Sequence, residues 1–218
     1  VENNICSMGK IDLNKMGLSG RIGPIIAYVT KGGKQAFRQY TVPSDPKTPK
    51  QLASRMRFGL ANSALSPLNS IIKHGYRDMN NAFRSTVSMV LKNAITGEYP
   101  NYSIDYSKIQ IARGKLQPLT GVTATVDEDS GTVHFSWDPQ QEGTSRPAKG
   151  NDQVNIACLN TAVSKAKNFI NRAKRSDRSA AIDLNRLPGI ETADSINDLH
   201  FWVYLTSGDL KSNSDSVY

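Results

Sequence analysis

A chain of 218 residues, 38% apolar and 21% charged, has the composition of a folded protein rather than of a disordered tail. Its apolar runs stop far short of the roughly 18 residues a membrane span needs, the best being Ile22 to Val29. The net charge of +8 is uneven, about +11 over residues 1–118 and −3 over 119–218, so the first half is the one that would attract phosphate backbones, anionic lipid or an acidic protein.

Val1 to Ser7 has neither the basic nor the apolar region of a secretion signal, so no signal or transmembrane segment is expected and the default compartment is the cytoplasm. The run lacks periodicity, and Met8 is the expected natural start. Two apolar stretches, Ile22 to Val29 and Gln35 to Val42, flank Gly32-Gly33 and read as a β-hairpin, because glycine accepts the positive φ of a tight turn. Pro43, Pro46 and Pro49 make the next stretch a connector. Thr48 then has the chemistry of a helix N-cap, with Pro49 at the first helical position, where a missing N–H costs nothing. In that helix Leu52, Met56 and Leu60 share a stripe, and Lys50, Arg55 and Arg57 fall largely outside it on the expected solvated side. Pro67 should end or kink it, with a shorter piece from Leu68 to Lys73.

Between Asn80 and Thr96 the apolar residues Phe83, Val87, Val90, Leu91 and Ala94 recur at helical spacing, and Gly97 is the expected stop. A strand is expected over Lys108 to Ala112, and Gly114 to Pro118 reads as a domain boundary. Beyond it the period is two. Val122 to Val126 and Thr132 to Trp137 flank an acidic turn, and Val154 to Leu159, Ala180 to Leu184, His200 to Thr206 and Ser212 to Tyr218 follow at the spacing of a sandwich. Alternation places Val133, Phe135 and Trp137 inward and His134 outward. The basic stretch Ser164 to Arg175 reads as an exposed helix or loop. The expected fold class is therefore α+β: an N-terminal β-hairpin plus helices over residues 8–118, then a C-terminal antiparallel β-sandwich over 119–218.

No catalytic, cofactor or metal site is legible. His74, His134 and His200 lie far apart in sequence and none stands at ligand spacing to cysteine or histidine, and neither hydrolase nor zinc motifs occur. Cys6 and Cys158 are too few for a disulfide framework, and Cys158, in an apolar run, reads as a buried thiol. Gly17 to Gly23 leads into a strand, which suits a crowded turn better than a phosphate loop, and the acids Asp127, Glu128 and Asp129 supply too few oxygens for calcium. Tyr28, Phe37, Tyr40 and Phe58 within the basic half are the residues that would stack on single-stranded nucleic acid. Lys50, Arg55 and Arg57 are the candidate polyanion-binding residues.

Several blocks together resemble domain of unknown function 6266, uncharacterised proteins common in Bacteroides-like bacteria. They are Met8 to Ile11, Leu18 to Ile26, Asp45 to Gln51 with Arg55 and Phe58, Leu91 to Gly97, Tyr99 to Lys108, Phe135 to Asp138 and Ser214 to Tyr218. The resemblance implies no activity and carries over no site residue. The basic insertion around 164–178 is the part least like the family. Thr132 to Trp137 is also similar to the tryptophan-bearing B strand of fibronectin type III modules, with Trp202 to Tyr204 as its expected partner, which bears on fold alone.

These observations point to a non-enzymatic binding or assembly module acting through its surfaces, with a protein or polyanionic partner and no cofactor. The alternative is nucleic-acid binding by the basic N-terminal half.

Overall fold

In a computed structural model the described residues are 18–42, 44–77, 79–127, 130–139, 145–186 and 198–218. The chain divides into two compact units, Val1–Lys47 and Thr48–Tyr218. The Gly114 to Pro118 stretch therefore runs inside the second unit. The expected Met8 start, Cys6, Gly17, Glu128 and Asp129 lie outside the described residues.

The first unit holds an antiparallel sheet of β1 (Gly20–Ile22), β2 (Ile25–Val29) and β3 (Gln35–Gln39). The β2–β3 hairpin is the expected one, and Gly33 at its turn has φ of 75°. An extra short strand, β1, folds back on β2 through a turn where Gly23 has φ of 58°.

The second unit opens with α1 (Pro49–Leu65), capped as the sequence requires: Thr48 Oγ1 accepts from the Gln51 N–H, and Gln51 Oε1 accepts from the Thr48 N–H at 3.2 Å. It ends ahead of Pro67, and α2 (Asn69–Gly75) follows. The residues of α1 that reach the core are Ala61 and Leu65; Met56, expected in the buried stripe, is 45% exposed. The expected helix over 80–96 is α3 (Ala82–Asn93). Gly97 does not stop it. With φ of 86°, Gly97 sits in β4 (Ile95–Glu98) beside β5 (Asn101–Ile104), where a Cβ would stand 2.2 Å from the Asn101 carbonyl oxygen.

The segment at Lys108 to Ala112 joins no ladder. Ile109, Ile111 and Ala112 are buried and side chains hold part of its backbone, the Ile111 N–H donating to Ser216 Oγ at 3.0 Å and the Ile109 carbonyl accepting from the Trp202 indole at 2.9 Å, while the Ala112 carbonyl accepts from the Ser216 N–H at 3.1 Å. Next come β6 (Thr123–Asp127), β7 (Thr132–Ser136), β8 (Gln153–Asn160), β9 (Lys165–Lys174), β10 (Ser179–Asp183) and β11 (Leu199–Thr206). Their orders, β10-β7-β6 and β11-β8-β9, are antiparallel and make the expected sandwich. Residues 212–218 line β11 by isolated bridges rather than a strand, Val203 and Val217 exchanging two backbone bonds of 2.8 Å.

The basic stretch at Ser164 to Arg175, expected as helix or loop, is the strand β9. Ala166 and Asn168 stand opposite Leu159 and Ala157, and Phe169 opposite Ile156 inside the sandwich core. Lysine and arginine at the edge of a sheet keep their heads in water and discourage unwanted strand pairing, which is why their number concealed the strand.

β8 and β11 are buried on both faces. Val154, Ile156, Cys158, Val203 and Leu205 pack toward β7 with Val133, Phe135 and Trp137. Ala157, Leu159, Trp202 and Tyr204 pack toward the helices with Leu65, Ile72, Val87 and Val90. The second unit is thus three layers, helices on sheet on sheet, with two cores sharing the middle sheet. His134 is exposed, as alternation requires. Trp202 and Tyr204 face the helices, so Val203, Leu205 and Phe201 meet the β7 side, with Phe201 edge-on to Phe135 at 5.5 Å.

Candidate interaction surfaces

The pairing of β1, β2 and β3 fixes which side chains share a face. Ile22, Ile25, Ala27, Val29, Gln35, Phe37 and Gln39 stand on one side, Arg21, Ile26, Tyr28, Ala36 and Arg38 on the other. The first face carries no charge. On it Ile22, Ile25, Val29 and Phe37 are 52%, 44%, 53% and 41% exposed. Ala27 is the one buried residue of the three strands. A hollow of about 390 Å³ lined by Pro24, Ile25, Phe37, Arg38 and Gln39 opens in this sheet. Beyond β3, Tyr40 takes the Arg21 guanidinium over its ring at 3.8 Å.

The candidate polyanion residues on α1 are not equivalent. Lys50 and Arg55 are exposed. Arg57 is half-buried and turned inward: its guanidinium donates to the Leu91 carbonyl at 2.6 Å and lies 5.9 Å from the Tyr102 ring. Arg57 thus ties α1 to the end of α3, which corrects its expected place on the solvated side. Of the stacking candidates, Tyr28, Phe37 and Phe58 are exposed.

Polar groups form two networks, of which the first reaches the surface at Arg77. In the first, Arg77 donates to His74 Nε2 at 3.3 Å, so the His74 proton resides on Nδ1, 2.8 Å from the Tyr204 hydroxyl that Asn168 also bonds. Burial raises the Tyr204 phenol to about 12, and burial with Arg77 nearby lowers His74. Both are therefore neutral at pH 7, and the Tyr204 side chain, 1% exposed, is closed to a substrate. Asn155, Thr206 and Asn213 continue the chain of bonds, Asn213 capping the His74 and Gly75 carbonyls at 2.8 and 2.9 Å.

The second network is an ion pair, Arg175 Nε to Asp152 Oδ2 at 3.5 Å, with both side chains almost fully buried. Arg175 also donates to the Gln117 carbonyl and accepts the Trp137 indole N–H on its own carbonyl at 3.0 Å. Cys158 is buried and its thiol is pushed up to about 12, which keeps it protonated and unreactive. His200 stacks on Tyr106 at 4.1 Å and shares a hydrogen bond with the Tyr218 hydroxyl. Among the described residues no group of three or more His, Cys, Asp or Glu could hold a metal ion, and no helix is long and apolar enough to cross a membrane.

The family model that matches the chain, over residues 17–218, describes a family of unknown function, DUF6266. No curated protein matches. Among solved structures, the chain is similar to a Fn3-like protein from Clostridium thermocellum, at 16% identity and a TM-score of 0.29, over 47% of this chain and 88% of that one.

Proposed function

Since the chain belongs to DUF6266, a family that brings no activity with it, we propose that it is a non-enzymatic binding or assembly module that docks a partner protein through the uncharged face of β1, β2 and β3. The observation that supports this is the exposure of Ile22, Ile25, Val29 and Phe37 together on one face. Contiguous apolar surface of this kind marks interaction sites, and a small sheet without a covered face is marginal alone. Docking would supply the missing core.

The test is a charge placed on that face. Ile25→Asp and Phe37→Asp should leave the thermal unfolding of the second unit within about 0.5 kcal/mol and reduce the binding of an apolar dye. A stability loss of several kcal/mol would mean that the face is already packed, and would overturn the reading.

Polyanion binding by the basic first half is the second reading, favoured by the exposure of Lys50 and Arg55. It has lost Arg57, whose guanidinium is engaged with the protein's own backbone. A single strand should then be held by residues other than Arg57, with a salt slope of about 0.7 per phosphate neutralised.

A further inference from the structure

β6 is the outer strand of its sheet, and among the described residues it pairs with β7 alone. All five of its residues are exposed. Its register sets Ala124 opposite Phe135 and Val126 opposite Val133, so these two lie on the face that carries the sandwich core. Phe135 and Val133 are 2% and 0% exposed, yet one strand further out Val126 is 38% exposed. The core thus stops at β7. β6 offers solvent an apolar margin together with the outward half of its backbone N–H and C=O groups.

Two other edges of the second unit are guarded. β9 carries Lys165, Lys167, Arg172 and Lys174, shifts register between Val154 and Ile156, and holds Asn171 at φ of 53°. β11 is lined by Asn213 and Val217 through isolated bridges. β6 has none of these devices: from Gly121 to Val126 the sequence holds no lysine, arginine or proline, and its pairs with β7 run without a shift. An edge left regular and uncharged is a template for another strand.

The sequence of β6 selects the strand that fits it. Laid antiparallel on a second β6 about a two-fold axis at Thr125, Thr125 meets Thr125, Ala124 meets Val126 and Thr123 meets Asp127. Threonine pairs of this kind are favourable, apolar residues meet each other on the core side, and no like charges stand opposite within the pair. A two-fold contact also closes on itself, so it yields a dimer and not a fibre.

We propose that β6 is a dimerisation edge, pairing with β6 of a second copy about Thr125 to join two three-stranded sheets into one, in the order β10-β7-β6-β6-β7-β10. A five-residue strand pair is smaller than a standard interface of roughly 1,200 Å² or more. The dimer is therefore reversible, with a dissociation constant of about 0.1 mM. The docking face of β1, β2 and β3 belongs to the first unit and takes no part.

The experiment is sedimentation velocity of the full chain from about 10 μM to 1 mM, which should show a concentration-dependent equilibrium between monomer and dimer. Thr125→Glu sets two acids against each other at the axis and should weaken association about tenfold or more, with a melting temperature within about 2 °C of the parent's because Thr125 is exposed. A fluorophore-labelled Thr125→Glu chain should associate again when Thr125→Lys is added, since a lysine then faces the glutamate. No merely structural role of Thr125 would produce that rescue. Ile25→Asp, on the sheet face of the first unit, should dimerise as the parent does, which keeps this proposal separate from the docking reading above. The proposal is overturned by a parent chain still monomeric at about 1 mM, which would leave the edge to a different partner, or by dimers that persist in Thr125→Glu. It is equally overturned if Thr125→Lys fails to restore association, or if Ile25→Asp abolishes it.

Discussion

Replacing Trp202 by Phe tests the three-layer arrangement at its centre. Trp202 is fully buried between the helices and the middle sheet, and its indole N–H satisfies the carbonyl of Ile109 at 2.9 Å. Phenylalanine removes that donor and strands a buried carbonyl, at about 1–3 kcal/mol. It also removes ring volume from a packed site, at roughly 1–2 kcal/mol. The expected cost is about 3 kcal/mol. The chain has two tryptophans, so in this variant Trp137 alone emits and reports the sandwich core, while far-ultraviolet dichroism reports the helices. Urea unfolding followed by both signals should give coincident transitions, because β8 and β11 belong to both cores. A cost below about 1 kcal/mol, or helices that melt ahead of the Trp137 signal, would refute the shared-sheet reasoning.

Asp152→Asn should destabilise by about 3–5 kcal/mol in urea, since it leaves Arg175 charged and buried, whereas Asp152→Asn with Arg175→Met should recover most of that loss. Stability should fall as pH drops below about 6.5, the ordinary histidine value, because burial and Arg77 depress His74 in the folded state, so the unfolded chain binds the proton first; the loss ends once pH passes below the folded value. His200, also depressed by burial, adds to the same slope, so His74→Gln should reduce it and leave that share, and an unchanged slope would remove His74 as a source. Arg57→Glu should cost about 1–3 kcal/mol by thermal unfolding, because its bond to the Leu91 carbonyl is lost, while Lys50→Glu should stay within about 0.5 kcal/mol.

Much of the fold could be read locally. Thr48 and Pro49 announced α1, and the alternation of Val133, Phe135 and Trp137 announced both a strand and its buried side. Val154 to Leu159 was legible as a strand, but a run apolar at every position does not say that two layers cover it, and the helix layer went unforeseen. β9 was hidden because edge lysines and arginines resemble a solvated helix face. At the candidate sites the exposed strand residues Ile25, Val29 and Phe37 were visible as apolar, yet only their cross-strand register shows that they share an uncharged face. Arg57 was misplaced because its partner, Leu91, is remote in sequence.

Amide hydrogen exchange on the dilute, monomeric full chain tests the central claim, that the N-terminal sheet is an uncovered docking face. The account predicts that amides of β2 and β3 exchange through openings of only a few kcal/mol, while those of β8 and β11 approach the global stability of about 5–15 kcal/mol. Protection of Ile25–Val29 and Gln35–Gln39 equal to that of Gln153–Asn160 would contradict it, because the sheet would then be a finished part of the fold with no partner to wait for.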